Sequence, residues 1–199
     1  MLKKEWIYRE LLTGFFEGKK RVFTQLALAG TLGVSLSTVH HALRPLAAMG
    51  AISIRARGLR ITDAHKVLLY WASLRQLDRE VVYRTRVEQG PLKIEASLPP
   101  GVILTAYSAY RRRFGESPAD YSEVYVYAGA AEVEELKRRF PARKGPANLF
   151  ILEADAALVS LSRQEVAPLP QVFVDLWSLR EWYARDFLRS LEDRLELRS

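Results

Sequence analysis

The sequence predicts an α+β protein in two parts, and three observations carry that prediction. Apolar residues recur at helical spacing from the amino terminus to about residue 48. A short segment alternating around Gly58 then breaks the helical pattern. Beyond about residue 87, strand-like runs alternate with helical ones. A chain of 199 residues accommodates two small domains, expected at residues 1–85 and 86–199, the second a small mixed α/β unit.

In the first part, residues 5–17 place Trp6, Leu11, Leu12 and Phe15 near helical spacing and read as a first helix. Thr24 suits the N-cap of a short helix over 25–32, and Gly33 ends it because glycine tolerates the left-handed conformation. Ser35 caps a third helix that Gly50 closes. On that helix Val39, Leu43 and Leu46 share one face and are expected to pack inward. Leu36, Ser37, His40, His41 and Arg44 lie elsewhere and are free to meet a partner. Pro45 removes one helical hydrogen bond and is expected to kink the helix after its first two turns. Residues 51–62 alternate apolar and polar around Gly58 and predict a β-hairpin. Its apolar face is Ile52, Ile54, Leu59 and Ile61, and Arg55, Arg57 and Arg60 crowd its tip.

Charge is uneven along the chain. The net charge is +7, yet residues 1–90 hold 15 basic and 7 acidic side chains, while residues 91–199 hold 15 and 16. The positive balance therefore sits entirely in the first part, the electrostatic footprint that a phosphate backbone attracts. Two short helices joined at a glycine turn and followed by a basic hairpin form a winged helix-turn-helix, with the second helix offered to the major groove of duplex DNA. The stretch TQLALAGTLGVSLSTVHHALRPLAAMGAI closely resembles that of winged-helix transcription factors. The resemblance implies that Leu36, Ser37 and His41 face base edges, with Ser35, Thr38 and His40 near phosphates. Arg55, Arg57 and Arg60 can reach phosphates or a narrow minor groove. A winged helix used only for protein contacts is the alternative.

Residues 63–79 continue as a connector helix, capped by Thr62 or Asp63, with Val67, Leu68, Trp71, Leu74 and Leu77 as its stripe. That stripe serves either the core or a homodimer seam. Farther on, strands are expected at 93–98, 123–127, 149–152 and 170–177. Helices are expected at 104–114, 130–140 and 179–197. The run Arg111-Arg112-Arg113 reads as solvated arginines pairing with acids such as Glu116, or as a second nucleic-acid patch. The segments TAYSAYRRRFG, VYVY and LPQVFVDLWSLREWYARDFLRSLE resemble the carboxy-terminal half of AbiEi-like antitoxin and regulator proteins of bacteria and archaea. That resemblance implies a regulator that represses its own operon, with a toxin of the nucleotidyltransferase type as partner protein.

Other chemistry is missing. There is no Cys, which excludes disulfides, iron–sulfur clusters and thiolate zinc sites, and the three His do not make a ligand pair. No phosphate-cradling loop or nucleophile elbow occurs, so no cofactor and no catalytic residue are expected. Asp155 and Asp175 each close a strand-like run but are expected to serve as surface or capping residues. A nucleic-acid-processing or nucleotidyltransferase-like enzyme carrying a winged helix is the competing function. No apolar run spans a bilayer and the amino terminus lacks a signal-peptide pattern, so the expectation is a cytoplasmic protein without a membrane partner. Twenty-two Arg against eight Lys and a single Asn, Asn148, point to a hot habitat, or to high genomic G+C content.

Overall fold

The computed structural model describes residues 1–197, and the chain is α+β. Three helices come first: α1 (Lys3–Phe16), α2 (Gln25–Leu32) and α3 (Leu36–Ala48). Local chemistry sets their ends. The Thr24 side chain accepts from the Ala27 amide, and Ser35 accepts from that of Thr38. Between α2 and α3, Gly33 adopts φ +61, the left-handed conformation that satisfies the last carbonyls of α2. The strands β1 (Ile52–Arg55) and β2 (Gly58–Ile61) form the expected antiparallel hairpin, with Ala56 and Arg57 as its turn. Ile52 and Leu59 face the core, whereas Ile54, expected on the apolar face, is 42% exposed because it lies one pair from the tip.

Asp63 caps α4 (Ala64–Leu74), its side chain accepting from the Lys66 amide. The connector helix stops there, five residues short of the expected end. Arg75 turns extended, and a 3₁₀ turn follows over Leu77–Glu80. Next come β3 (Val81–Thr85), α5 (Pro91–Ala96), β4 (Ile103–Thr105), α6 (Ala106–Phe114), β5 (Val124–Ala128), α7 (Ala130–Arg139) and β6 (Leu149–Glu153). Three helices complete the described chain: α8 (Ala156–Leu161), α9 (Leu169–Trp177) and α10 (Ala184–Arg194). The second sheet has the order β3-β6-β5-β4, with β5 and β6 parallel and both edge strands antiparallel to their neighbours.

Several expected elements differ. The segment 93–98 is not a strand but belongs to α5, because Pro91 sits at the first helical position after Gly90 and pre-sets the helical φ. The segment 170–177 is not a strand but α9, buried from Pro170 to Leu176. Its two polar residues, Gln171 and Asp175, stand four apart on one face of the helix and bond to each other (2.9 Å). The expected helix over 104–114 is split: β4 ends at Thr105, and Ala106, at φ +48, turns the chain into α6. The last helix runs over Ala184–Arg194 rather than 179–197, beginning after a turn and ending three residues before Leu197. Neither β3 nor α8 was expected.

The core runs without a break across residue 85. Helix α9 packs against α1, α4, α6, α10 and β4, so one apolar cluster joins Ile7, Leu11 and Trp71 to Phe173, Leu176 and Phe187. The opposite face of the second sheet carries a separate cluster under α5 and α7, including Val124, Val126, Leu136 and Ile151. Strand β3, inside the span expected to form the first domain, pairs with β6 of the second sheet.

A buried polar network crosses the same seam. The Arg75 guanidinium is held by Asp175 (Nε to Oδ1, 2.9 Å), Tyr127 (2.7 Å) and Glu80 (2.5 Å). Asp175 also accepts from Thr105 (2.7 Å), Tyr127 (2.8 Å) and Gln171 (2.9 Å). From α1, Arg9 reaches Gln171 (3.3 Å) and Asp155 (2.5 Å), and Asp155 caps α8. Asp175 is therefore neither a surface nor a capping residue, and both its oxygens are occupied by protein donors. Burial drives the Tyr127 hydroxyl well above its ordinary pKa, so it stays protonated and donates.

Candidate nucleic-acid interface

The amphipathic pattern of α3 orients every candidate residue on it. Val39, Leu43 and Leu46 are fully buried and Ala42 nearly so. Leu36, Ser37, His40, His41 and Arg44 project into solvent, with Leu36 51% exposed. The helix continues through Pro45 to Ala48. Proline has no N–H for the His41 carbonyl, and at the next carbonyl the Tyr8 hydroxyl of α1 donates to Ala42 (2.9 Å). That bond ties α3 to α1 and holds its outer face in place. Ser35 and Thr38 are engaged with each other at the helix start: the Thr38 amide donates to Ser35 Oγ (3.0 Å), and their hydroxyls lie 2.8 Å apart. The His40 and His41 rings meet edge to face, with centroids 5.9 Å apart.

The hairpin is positioned by a contact that sequence periodicity did not reveal. Phe23 forms an isolated antiparallel bridge with Leu59: each amide donates to the other's carbonyl, at 2.9 and 2.8 Å. The chain before α2 is thereby tied to β2 at this one residue pair. Gly58 makes this possible. A Cβ there would lie 2.6 Å from the Phe23 carbonyl oxygen, and its φ of +131 is one that side chains rarely adopt. Arg55, Arg57 and Arg60 are exposed around a recess of about 620 Å³ shared with Val22. Among the described residues, only Arg55 of the three has a side-chain hydrogen-bond partner, Ser53 Oγ at 3.4 Å.

The bridge also brings in residues that were not singled out in the sequence. Lys19, Lys20 and Arg21 lead into Phe23 and so enter the hairpin side of the molecule. Lys20 lies over the Phe23 ring and Arg21 over the Phe15 ring. A simple signal marks the whole surface. Between Glu17 and Asp63 the chain has no acidic residue and seven basic ones: Lys19, Lys20, Arg21, Arg44, Arg55, Arg57 and Arg60. None of the seven forms an ion pair among the described residues.

Arginines elsewhere behave differently. Arg111 pairs with Glu95 and Arg113 with Glu17 of the first part (2.9 Å). Glu116, expected as their partner, pairs instead with Arg194. Among the described residues no cluster of His, Asp or Glu is arranged to hold a metal, and no helix is long and apolar enough to cross a membrane. No family model, curated protein or solved structure matches this chain, so its own geometry carries the functional argument.

Proposed function

We propose that the chain binds duplex DNA as a winged helix-turn-helix regulator of transcription, with α3 in the major groove and the hairpin on the adjacent backbone. The observation that carries this reading is the seven cations, without an ion pair among the described residues, and two histidines grouped on α3, the hairpin and the segment bridged to it, with no carboxylate in the intervening sequence. Unpaired arginines on a surface free of acids lose no internal salt bridge on meeting phosphates, and counterion release supplies the affinity. The exposed face of α3 offers Ser37 and His41 to base edges, whose hydrogen bonds carry sequence information. The hairpin arginines serve affinity more than choice of sequence, because backbone contacts do not read bases. The resemblance to AbiEi-like regulators extends the reading to an autorepressing protein with a toxin partner, and the reading of two half-sites by helix-turn-helix proteins extends it to a homodimer on DNA.

The test is a salt titration of the full chain on duplex DNA, read by fluorescence anisotropy. Each phosphate neutralised contributes a slope of about −0.9 in log affinity against log salt. Engagement of four to seven cations therefore gives a slope of about −4 to −6. Arg57→Ala is expected to weaken binding equally on the operator and on random duplex. Failure of the chain to bind any duplex at low salt refutes the reading and favours a protein partner for this surface.

A further inference from the structure

A second concavity, of about 570 Å³, opens between the segment leading into α5 and the loop between α6 and β5. Its volume lies within the range that holds small organic ligands. One wall is apolar: Pro91, Leu92, Ala119 and the ring of Tyr121. Leu92 is 57% exposed, so an apolar ligand laid on it would bury hydrocarbon that now meets water. The other wall carries cations. Arg111 donates through Nε to the Tyr121 hydroxyl (3.0 Å) and through a terminal nitrogen to Glu95. Tyr121 in turn donates to the other Glu95 oxygen (2.6 Å). This closed ring of three groups fixes the guanidinium plane in advance, while Arg111 Nη1 has no hydrogen-bond partner among the described residues. Lys93 lines the same space, exposed and without an ion pair among those residues.

The remaining charges at the cavity limit what it can hold. Glu88 is drawn away by Arg143 (3.1 Å), and Glu95 is consumed by Arg111 and Tyr121. Asp120 stands exposed in the lining and opposes a second negative charge. A preorganised arginine beside a free lysine matches one carboxylate, and the apolar wall matches a compact hydrocarbon body.

We propose that this cavity is a binding site for a small amphipathic monocarboxylate. Its carboxylate is held by Arg111 Nη1 and Lys93, and its apolar body lies on Leu92 and Tyr121. The site is separate from the DNA surface: none of its lining residues lies on α3 or the hairpin.

The probe is 1-naphthylacetate, titrated by its fluorescence anisotropy against the full chain, with the neutral 1-naphthylacetamide as isosteric comparator. A ligand of about 14 non-hydrogen atoms in a formed site gives a Kd of about 1 mM or tighter. The amide is expected to bind about tenfold more weakly, because it forfeits the charge-assisted bonds. Leu92→Asp and Lys93→Glu, both at exposed positions, are each expected to weaken the acid about tenfold or more at unchanged Tm. Absence of saturable binding up to about 10 mM overturns the site, as does equal affinity for acid and amide. The acid–amide comparison is made on the unaltered chain, so it decides the matter even if a variant misfolds. Undiminished binding in both folded variants also overturns it.

Discussion

Replacing Arg75 by Ala should destabilise the whole protein, not merely its connector. The side chain is fully buried and bonds to Asp175, Tyr127 and Glu80, with Glu5 a further carboxylate 3.7 Å away. Its removal leaves Asp175, itself wholly buried, with only the neutral donors Thr105, Tyr127 and Gln171. Breaking one partner of a buried ion pair costs about 3–5 kcal/mol, because an uncompensated charge stays in a poorly polarisable interior. Against a domain stability of about 5–15 kcal/mol, that loss is a large fraction of the total. The assay is urea unfolding followed by tryptophan fluorescence, for Arg75→Ala, Asp175→Ala and the double variant. Residues that share one network are non-additive, so the double variant should lose less than the sum of the two, by about 1 kcal/mol or more. A loss below about 1 kcal/mol for Arg75→Ala, or strict additivity, refutes the claim that the network joins the two parts.

A fragment of residues 1–85, the span expected to form the first domain, would expose the faces of α1 and α4 that pack on α9 and would strand Arg9 and Arg75; calorimetry of the fragment should show no cooperative transition, and a sharp one would contradict this. Val39→Ala should cost about 0.5–3 kcal/mol, whereas Ser37→Ala and His41→Ala should leave Tm nearly unchanged and lower affinity for the operator alone; the reverse pattern would mean that α3 is rotated from the face described. Burial, reinforced by hydrogen bonds to Glu95 and Glu123 respectively, pushes the Tyr121 and Tyr183 hydroxyls up from 10 to about 12. A raised folded-state pKa stabilises fully below pH 10 and is lost as pH rises through 12. Circular dichroism and tyrosinate absorbance should thus change together in that window, and full ionisation of a still-folded chain would count against it.

Gly58→Ala tests the hairpin. The new Cβ would meet the Phe23 carbonyl at 2.6 Å in a conformation unfavourable to side chains. Strain of this kind costs about 1–3 kcal/mol, and the cheapest relief is to break the Phe23–Leu59 bridge. Tm and DNA affinity should both fall; unaltered values would show that the bridge does not hold the hairpin.

What the sequence determined by itself is what neighbouring residues can decide. Thr24, Ser35 and Asp63 cap helices because their side chains reach an amide three residues on, and Gly33 ends α2 because it can turn left-handed. The inward face of α3 followed from helical spacing alone, and the hairpin from alternation around Gly58. The folded chain decided the rest through contacts between distant residues. The segment 170–177 carries a helical sign in Gln171 and Asp175, four residues apart, but in so short and mostly apolar a run only packing against α1, α4, α6 and α10 decided against a strand. Asp175 gives no local sign that Arg75, one hundred residues away, will bury with it. Likewise, only the Phe23–Leu59 bridge brings Lys19, Lys20 and Arg21 to the arginines of the hairpin, because backbone pairing between remote segments leaves no mark on the spacing of side chains.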